Sequence, residues 1–116
     1  MVDLDETLIH YNEKESVVHE RAYVGEFLQR MAKIFEVVIF TAGTKAYADN
    51  IIDSIDPEHC VSFRLYRNHI TLHEGAPIKD LSKLGRELNR TIIIDNLSSN
   101  FRLQPDNGIL ISSWYG

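Results

Sequence analysis

The chain has 116 residues, of which 44% are hydrophobic and 25% charged, and its net charge is −5; these values are typical of one globular domain with its own core. It has no Lys/Arg run long enough for a nucleic-acid surface and no apolar run long enough to cross a membrane. Cys60 is the only cysteine, so an internal disulfide is excluded and a reducing compartment is favoured. We therefore expect an intracellular protein, nuclear or cytoplasmic, that binds neither nucleic acid nor membrane directly.

The first half of the chain predicts strands alternating with helices. Met1–Leu4 is expected to be a strand and residues 8–16 a loop or ragged hairpin, followed by a short strand at Val17–Val18. Apolar residues at helical spacing predict a helix over Val24–Ile34, and Glu36–Phe40 is a continuous β-branched and aromatic run. A second helix follows from Thr44 and closes at Asp56–Pro57. Because only two residues precede Asp3, we expect a domain trimmed at the start, and the abrupt end after Ser113 suggests the same there.

The second half predicts shorter elements. Val61–Tyr66 and Ile70–His73 are expected to pair as a hairpin insertion covering about residues 60–74. The remaining expectations are a short helix over Leu81–Leu88 interrupted at Gly85, a buried strand at Thr91–Ile94, a helix over Ser98–Gln104 with Ser98 as N-cap, and a last strand at Ile109–Ile111. This alternation predicts a single α/β domain over residues 1–116, a Rossmann-like three-layer sandwich with a mostly parallel sheet.

Polar side chains follow three of the predicted strands at the point where each strand ends. They are Asp3, Asp5 and Thr7 after the first strand, Thr41 after the next, and Asp95 with Asn96 after the third buried strand. In open α/β sheets, ligands bind outside the carboxyl ends of the strands, so these residues are expected to form one site. Alone, the Asp3-x-Asp5-x-Thr7 motif is also compatible with an ordinary polar turn.

The residue types in this set predict phosphoryl transfer. Carboxylate and amide oxygens suit Mg²⁺, whereas none of the five histidines is spaced for a zinc site. Lys79, after an apolar pair, is expected to enter the site from a loop, and Thr41 at a helix start offers an anion site. Such a set allows one carboxylate to attack a phosphoryl group while the second protonates the leaving oxygen and then deprotonates water.

The motifs resemble a known family along nearly the whole chain. Asp3-Leu4-Asp5-Glu6-Thr7-Leu8 resembles motif I of the haloacid-dehalogenase superfamily. Several further segments resemble, in order, the catalytic domain of the small C-terminal-domain phosphatases, also called NLI-interacting-factor-like phosphatases: Phe40–Gly43, Tyr47–Asp49, Arg64–Arg67, Ile78–Arg86, Ile94–Asn96 and Gln104–Gly108 with Ser113–Trp114.

The resemblance implies a role for each matching residue. Asp3 would be the nucleophile and an Mg²⁺ ligand, and Asp5 the general acid/base with its carbonyl on the metal. Thr7 would orient the Asp5 loop, whereas Thr41 and Lys79 would hold the phosphoryl oxygens. The metal shell would be completed by Asn96 and, partly through fixing Lys79, by Asp95. Arg67 and Tyr47 match positions that contact a phosphopeptide, and the implied substrates are phosphoserine proteins, notably the heptad tail of RNA polymerase II.

The alternatives that the residues leave open concern substrate and activity. Arg67 could equally be an ordinary charged residue of the hairpin, and Tyr47 a core residue on the apolar face of its helix. The gaps from Thr7 to Val24 and from Thr41 to Lys79 are too short for a large cap domain, so we expect an open site suited to a protein-bound phosphate. Two other functions use the same scaffold chemistry: an inactive phosphoprotein-binding module, and a phospho-acceptor signalling domain. Asp3 and Asp5 together disfavour both.

Overall fold

The computed structural model describes residues 1–116, which form two α-helices, eight short strands and several 3₁₀ turns. The helices are α1 (Val24–Ala32) and α2 (Lys45–Ile55). The strands are β1 (Ile9–Asn12), β2 (Val17–Glu20), β3 (Val37–Phe40), β4 (Val61–Leu65), β5 (Thr71–His73), β6 (Ala76–Ile78), β7 (Ile93–Asp95) and β8 (Gly108–Leu110). The class is α/β, as the sequence predicts.

The polar clusters lie at the ends of strands that pair in parallel. Strand β3 pairs in parallel with β4, and β7 pairs in parallel with β8. Val2 makes parallel bridges to Ile39 and to Ile94, so the first residues of the chain lie between the two pairs. The residues that follow Val2, β3 and β7 therefore leave the strands at one common edge. Two antiparallel hairpins, β1–β2 and β5–β6, complete the pairing.

The prediction of a hairpin over residues 60–74 is wrong. Val61–Leu65 pairs with β3, because the helix between them provides the crossover that a parallel pair requires. The hairpin partner of β5 is β6, and Glu74 and Gly75 between them have φ values of 52° and 79°. Such two-residue turns with both central residues at positive φ match the twist of paired strands. Arg67–His69 forms a 3₁₀ turn instead.

Several predicted bounds also differ from the structure. The strand expected over Met1–Leu4 is reduced to the bridges at Val2, and α1 ends at Ala32, two residues early. In place of the helix expected over Leu81–Leu88, the structure has two 3₁₀ turns, Leu81–Lys83 and Leu88–Arg90. In place of the helix expected over Ser98–Gln104, it has a 3₁₀ turn at Ser98–Phe101. Leu97, and not Ser98, occupies the N-cap position of the last turn.

The main core joins both helices to the sheet. Leu28 of α1 and Ile52 of α2 pack into one cluster with Val2, Leu4 and Ile39. Each fully buried Leu or Ile contributes about 1.5–3 kcal/mol of transfer free energy, so this cluster fixes the strand ends that carry the site. A smaller cluster of Leu81, Ile93 and Phe101 lies apart from it. None of the helices is both long and apolar enough to cross a membrane.

Candidate active site

A tight loop after Val2 carries the two aspartates. Glu6 adopts a left-handed conformation with a φ of 59°, and the N–H groups of Thr7, Leu8 and Ile9 all donate to the carbonyl of Leu4. The Thr7 side chain is buried and donates from Oγ1 to Asp3 Oδ2 at 2.9 Å. Thr7 therefore connects the end of the loop to its first carboxylate, and its role in orienting the Asp5 loop stays a prediction.

Residues outside the loop, Arg21 and Trp114, also hold the loop that carries the two aspartates. Arg21 Nη1 donates to the carbonyl of Thr7 at 3.2 Å and to that of Ser112 at 3.3 Å. The N–H of Trp114 donates to the carbonyl of Glu6 at 2.9 Å. The residues after β8 thus support the loop that the sequence places more than 100 positions earlier.

Lys79 joins two carboxylates in the interior. Its side chain is 1% exposed, and its Nζ donates to Asp3 Oδ1 at 2.8 Å and to Asp95 Oδ2 at 2.7 Å. A buried ammonium is tolerated only when it is paired and hydrogen-bonded, and here both carboxylates pair with it. The structure therefore brings together Asp3, Lys79 and Asp95, which come from three separate parts of the chain.

Asn100 holds this group in place, and the sequence did not single it out. Its side-chain Nδ2 donates to both carboxylate oxygens of Asp95 at 3.2 and 3.1 Å. Its main-chain carbonyl accepts a hydrogen bond from the N–H of Lys79 at 2.8 Å. The N–H of Leu97 also donates to Asp95 at 3.0 Å. Asn100 lies in a short polar turn with no periodic signal, so only the tertiary contact with Lys79 reveals it.

Burial dominates the electrostatics of Asp3. Loss of water around the carboxyl raises its pKa from 3.8 to about 6, and the charge of Asp95 acts in the same direction. The ammonium of Lys79 and the hydrogen bonds from Lys79 and Thr7 oppose this rise without cancelling it. A carboxylate that is costly to ionise is one for which further positive charge at the site is favourable.

Asp5 lies in a different environment, beside the start of α2. It is half-buried, Thr41 Oγ1 donates to its Oδ2 at 3.3 Å, and the hydroxyl of Tyr47 donates to its Oδ1. Thr41 is fully buried and also accepts the N–H of Gly43 at 2.9 Å. Tyr47, expected either in the core or on the substrate, thus contacts the second aspartate of the motif.

Arg67 is not brought into contact with the site carboxylates. Its side chain is exposed, and its Nε donates to the carbonyl of Ala42 at 2.8 Å. Its N–H donates to the carbonyl of Gly43 at 2.9 Å. Arg67 therefore braces the Thr41–Thr44 loop at its solvent side, and its contact with a substrate stays a prediction.

The oxygens around Asn96 fit the Mg²⁺ that the resemblance implies. No three His, Cys, Asp or Glu side chains of residues 1–116 converge on one point, so the fit depends on the asparagine and on oxygen chemistry. The Asn96 amide nitrogen donates to Asp3 Oδ2 at 2.8 Å and to Asp95 Oδ1 at 3.2 Å, and its oxygen accepts from the hydroxyl of Ser113 at 2.9 Å. Asn96 therefore lies beside both carboxylates, and carboxylate and amide oxygens are the ligands that Mg²⁺ prefers.

Ser113 fixes the far end of this amide. Its Oγ lies 2.9 Å from the Asn96 side chain and donates to the amide oxygen. Ser113 is a second residue to which sequence reasoning gave no role, and its position in the matched Ser113–Trp114 segment was the available signal.

Comparisons with known proteins give one consistent result. The family model described as NLI interacting factor-like phosphatase matches residues 1–116. The chain is 39% identical over 133 residues to the human "Carboxy-terminal domain RNA polymerase II polypeptide A small phosphatase 1", covering 99% of this chain and 51% of the relative. It is 38% identical to the "Probable C-terminal domain small phosphatase" of Dictyostelium discoideum, covering 99% and 44%. The chain thus spans about half the length of these relatives.

Solved structures share the fold. The structure of Fcp1, described as an essential RNA polymerase II CTD phosphatase, superimposes with a TM-score of 0.76 at 22% identity, covering 97% of this chain and 41% of that one. The fission yeast Fcp1 bound to beryllium fluoride gives a TM-score of 0.75 at 22% identity, covering 97% and 40%. At this identity the likeness establishes that this chain shares the fold of the Fcp1 structures.

Proposed function

The chain belongs to the NLI interacting factor-like phosphatase family, and we propose that it is an Mg²⁺-dependent phosphoprotein phosphatase acting through an aspartyl-phosphate on Asp3. The observation that carries this proposal is the buried Lys79, whose Nζ lies 2.8 Å from Asp3 and 2.7 Å from Asp95. A lysine buried between two carboxylates is rare outside functional sites, since the pair costs desolvation energy.

The residues divide the reaction between them. Asp3 attacks the phosphorus of a phosphoserine or phosphothreonine, and the P–O bond to the side-chain oxygen breaks. Asp5 gives its proton to that leaving oxygen, then takes one from the water that hydrolyses the aspartyl-phosphate. Lys79 and Thr41 neutralise or hydrogen-bond the phosphoryl oxygens, and Thr7 keeps Asp3 oriented. Mg²⁺, held by Asp3, Asn96, the carbonyl of Asp5 and, less directly, Asp95, would supply positive charge against the repulsion between phosphate and carboxylate.

The proposed substrate class is a phosphorylated protein segment, with the RNA polymerase II C-terminal tail as the first candidate and the nucleus as the compartment. The printed names of the relatives point to this tail. We propose a Rossmann-like three-layer arrangement for residues 1–116 as one catalytic domain, without a large cap. The 16 residues from Leu8 to Tyr23 contain only the β1–β2 hairpin, which favours access by a protein segment over enclosure of a metabolite.

The test measures phosphate release from p-nitrophenyl phosphate with Mg²⁺ and with EDTA, then from phosphoserine heptad peptides of the polymerase tail. We expect turnover only with Mg²⁺, and none from Asp3→Asn. Asp53→Asn is the matched control, because Asp53 is an exposed aspartate of α2 that pairs with Arg64 far from Lys79. A parent protein that binds the phosphopeptides but releases no phosphate would instead indicate a binding module.

A further inference from the structure

The carboxylate of Asp5 is held by two neutral donors. Thr41 Oγ1 donates to Oδ2 at 3.3 Å, and the Tyr47 hydroxyl donates to Oδ1. The two donors reach different oxygens of the carboxyl group, so together they fix its orientation. Burial and the neighbouring Asp5 also raise the pKa of Tyr47, so its hydroxyl keeps its proton and remains a donor.

The backbone leaves room for this contact at Gly43. A Cβ on Gly43 would lie 2.7 Å from Cδ1 of the Tyr47 ring and 3.2 Å from Thr41 Oγ1. The first distance is closer than side-chain carbons approach, so a side chain here would displace the ring. The φ of Gly43 is not in the left-handed region, so the glycine serves the approach of Tyr47 and not a turn. Tyr11 packs edge-on against the same ring, with centroids 6.1 Å apart.

We propose that Tyr47 is a positioning residue that holds Asp5 for the second half of the reaction. This inference rests on the proposed function. In that half, the oxygen of water attacks the phosphorus of phospho-Asp3 and the bond from phosphorus to the Asp3 oxygen breaks. The proton of the water passes to Asp5, and inorganic phosphate and the Asp3 carboxylate are released. Asp5 must receive this proton on a correctly aimed oxygen, and Tyr47 and Thr41 aim its two oxygens through their hydrogen bonds.

The first half makes a different demand. There Asp5 must carry a proton and give it to the leaving oxygen, and an acidic phenol such as p-nitrophenol leaves with little help. With p-nitrophenyl phosphate, kcat/KM reports formation of phospho-Asp3, whereas kcat also includes its hydrolysis. The loss of Tyr47's hydroxyl should therefore affect kcat and leave kcat/KM close to that of the parent.

The experiment compares Tyr47→Phe with the parent under steady-state and rapid-quench conditions. We expect kcat to fall about tenfold, part of the roughly 10²–10⁴-fold that a positioned proton-transfer group contributes. We also expect kcat/KM to change less than about twofold. In the rapid-quench experiment, Tyr47→Phe should release a burst of p-nitrophenol and accumulate acid-precipitable phospho-Asp3. Tyr11→Phe is the matched control, because it removes a hydroxyl from the neighbouring ring and should produce no burst. Gly43→Ala should reproduce the burst, since it displaces the Tyr47 ring.

The other outcomes are distinguishable. An equal fall in kcat and kcat/KM without a burst indicates general damage to the site and overturns the inference, as does a raised KM at unchanged kcat, which indicates substrate contact alone. Unchanged kinetics also overturn it. A parent protein without turnover refutes the proposed function instead. A Tyr47→Phe, Asp5→Ala double-mutant cycle in urea unfolding checks the contact without turnover, because each variant removes one partner, and additive effects would exclude it.

Discussion

Replacing Lys79 by methionine tests the central group directly. The substitution keeps an unbranched apolar stem and removes the ammonium that pairs with Asp3 at 2.8 Å and Asp95 at 2.7 Å. Exposed ion pairs contribute about 0–1 kcal/mol, but removing one partner of a buried pair costs about 3–5 kcal/mol. With Lys79 only 1% exposed, the larger range applies. Against a total of about 5–15 kcal/mol for a domain, the loss is about a fifth or more.

The effect should depend on pH in a defined direction. In the parent, the pKa of Asp3 is raised to about 6, so the folded protein holds a proton there that the unfolded chain has released above pH 3.8. Without Lys79, which lowers this pKa, the value rises further. A raised carboxyl pKa makes the free energy of unfolding fall as pH increases through that window. The variant's deficit should therefore be larger at pH 8 than at pH 5.

Urea unfolding at pH 5 and pH 8 measures both quantities. Lys83→Met is the control, because Lys83 is an exposed lysine that donates only to Thr71 Oγ1 at 3.0 Å, and it should change stability by less than about 0.5 kcal/mol. Adding Asp95→Asn to the variant should recover part of the loss by removing one unpaired charge. A deficit under about 1 kcal/mol, or one that is larger at pH 5, would refute the assignment of Lys79 as the buried counter-charge.

Four further expectations follow from the same geometry. Asp3→Asn should abolish turnover, yet at pH 7.5 its free energy of unfolding should equal or exceed the parent's, because burial makes the ionised Asp3 costly; a large loss in urea unfolding would contradict this. Saturating Mg²⁺ should raise the Tm more at pH 7.5 than at pH 5, since below about 6 it must displace the Asp3 proton, and EDTA should reverse the rise. Ser113→Ala should weaken Mg²⁺ binding about tenfold in the same Tm titration, because Asn96, an expected Mg²⁺ ligand, loses its hydrogen-bond partner at 2.9 Å; unchanged affinity would exclude the role of Ser113. Gly108→Ala should destabilise by about 1–3 kcal/mol, because its Cβ would meet the Phe101 ring at 2.1 Å, whereas Gly25→Ala in α1 has nothing within 4 Å and should stabilise.

The positions of the site residues along the chain could be predicted because each follows an apolar run. Buried strands have a strong compositional signal, and a polar residue directly after one lies at the sheet edge where ligands bind. This reasoning places Asp3, Thr41 and Asp95, and the structure brings Asp3 and Asp95 together around Lys79. Lys79 has a weaker signal, the apolar pair before it, since a lone lysine is exposed by default and only its place in the pattern of site residues overturns that expectation.

The contacts that fix these residues could not be predicted in the same way. Asn100 acts through Asp95 and the N–H of Lys79, and Ser113 acts through Asn96, so each role depends on side-chain and loop placement that no local pattern encodes. The sequence pattern at Tyr66–Ile70 allowed two pairings for β4. A local turn there would pair β4 with the strand that follows, whereas the helical crossover before β4 pairs it with β3, as in the structure. Short 3₁₀ turns such as Ser98–Phe101 have too few residues to show a period.

The structure gives a physical reason why two aspartates separated by one residue can perform different tasks. Asp3 is buried and its Oδ1 lies against an ammonium, so it is oriented, and further cations at the site favour its charged form. Asp5 is half-buried, and its carboxyl oxygens accept only from the hydroxyls of Thr41 and Tyr47, which are neutral donors. A nucleophile benefits from the first environment, because it must stay charged and aimed at one point. A proton shuttle benefits from the second, because it must exchange a proton with both a leaving oxygen and a water. The proposed division of tasks thus matches the side of the loop that each carboxylate occupies, the Lys79 side for Asp3 and the α2 side for Asp5.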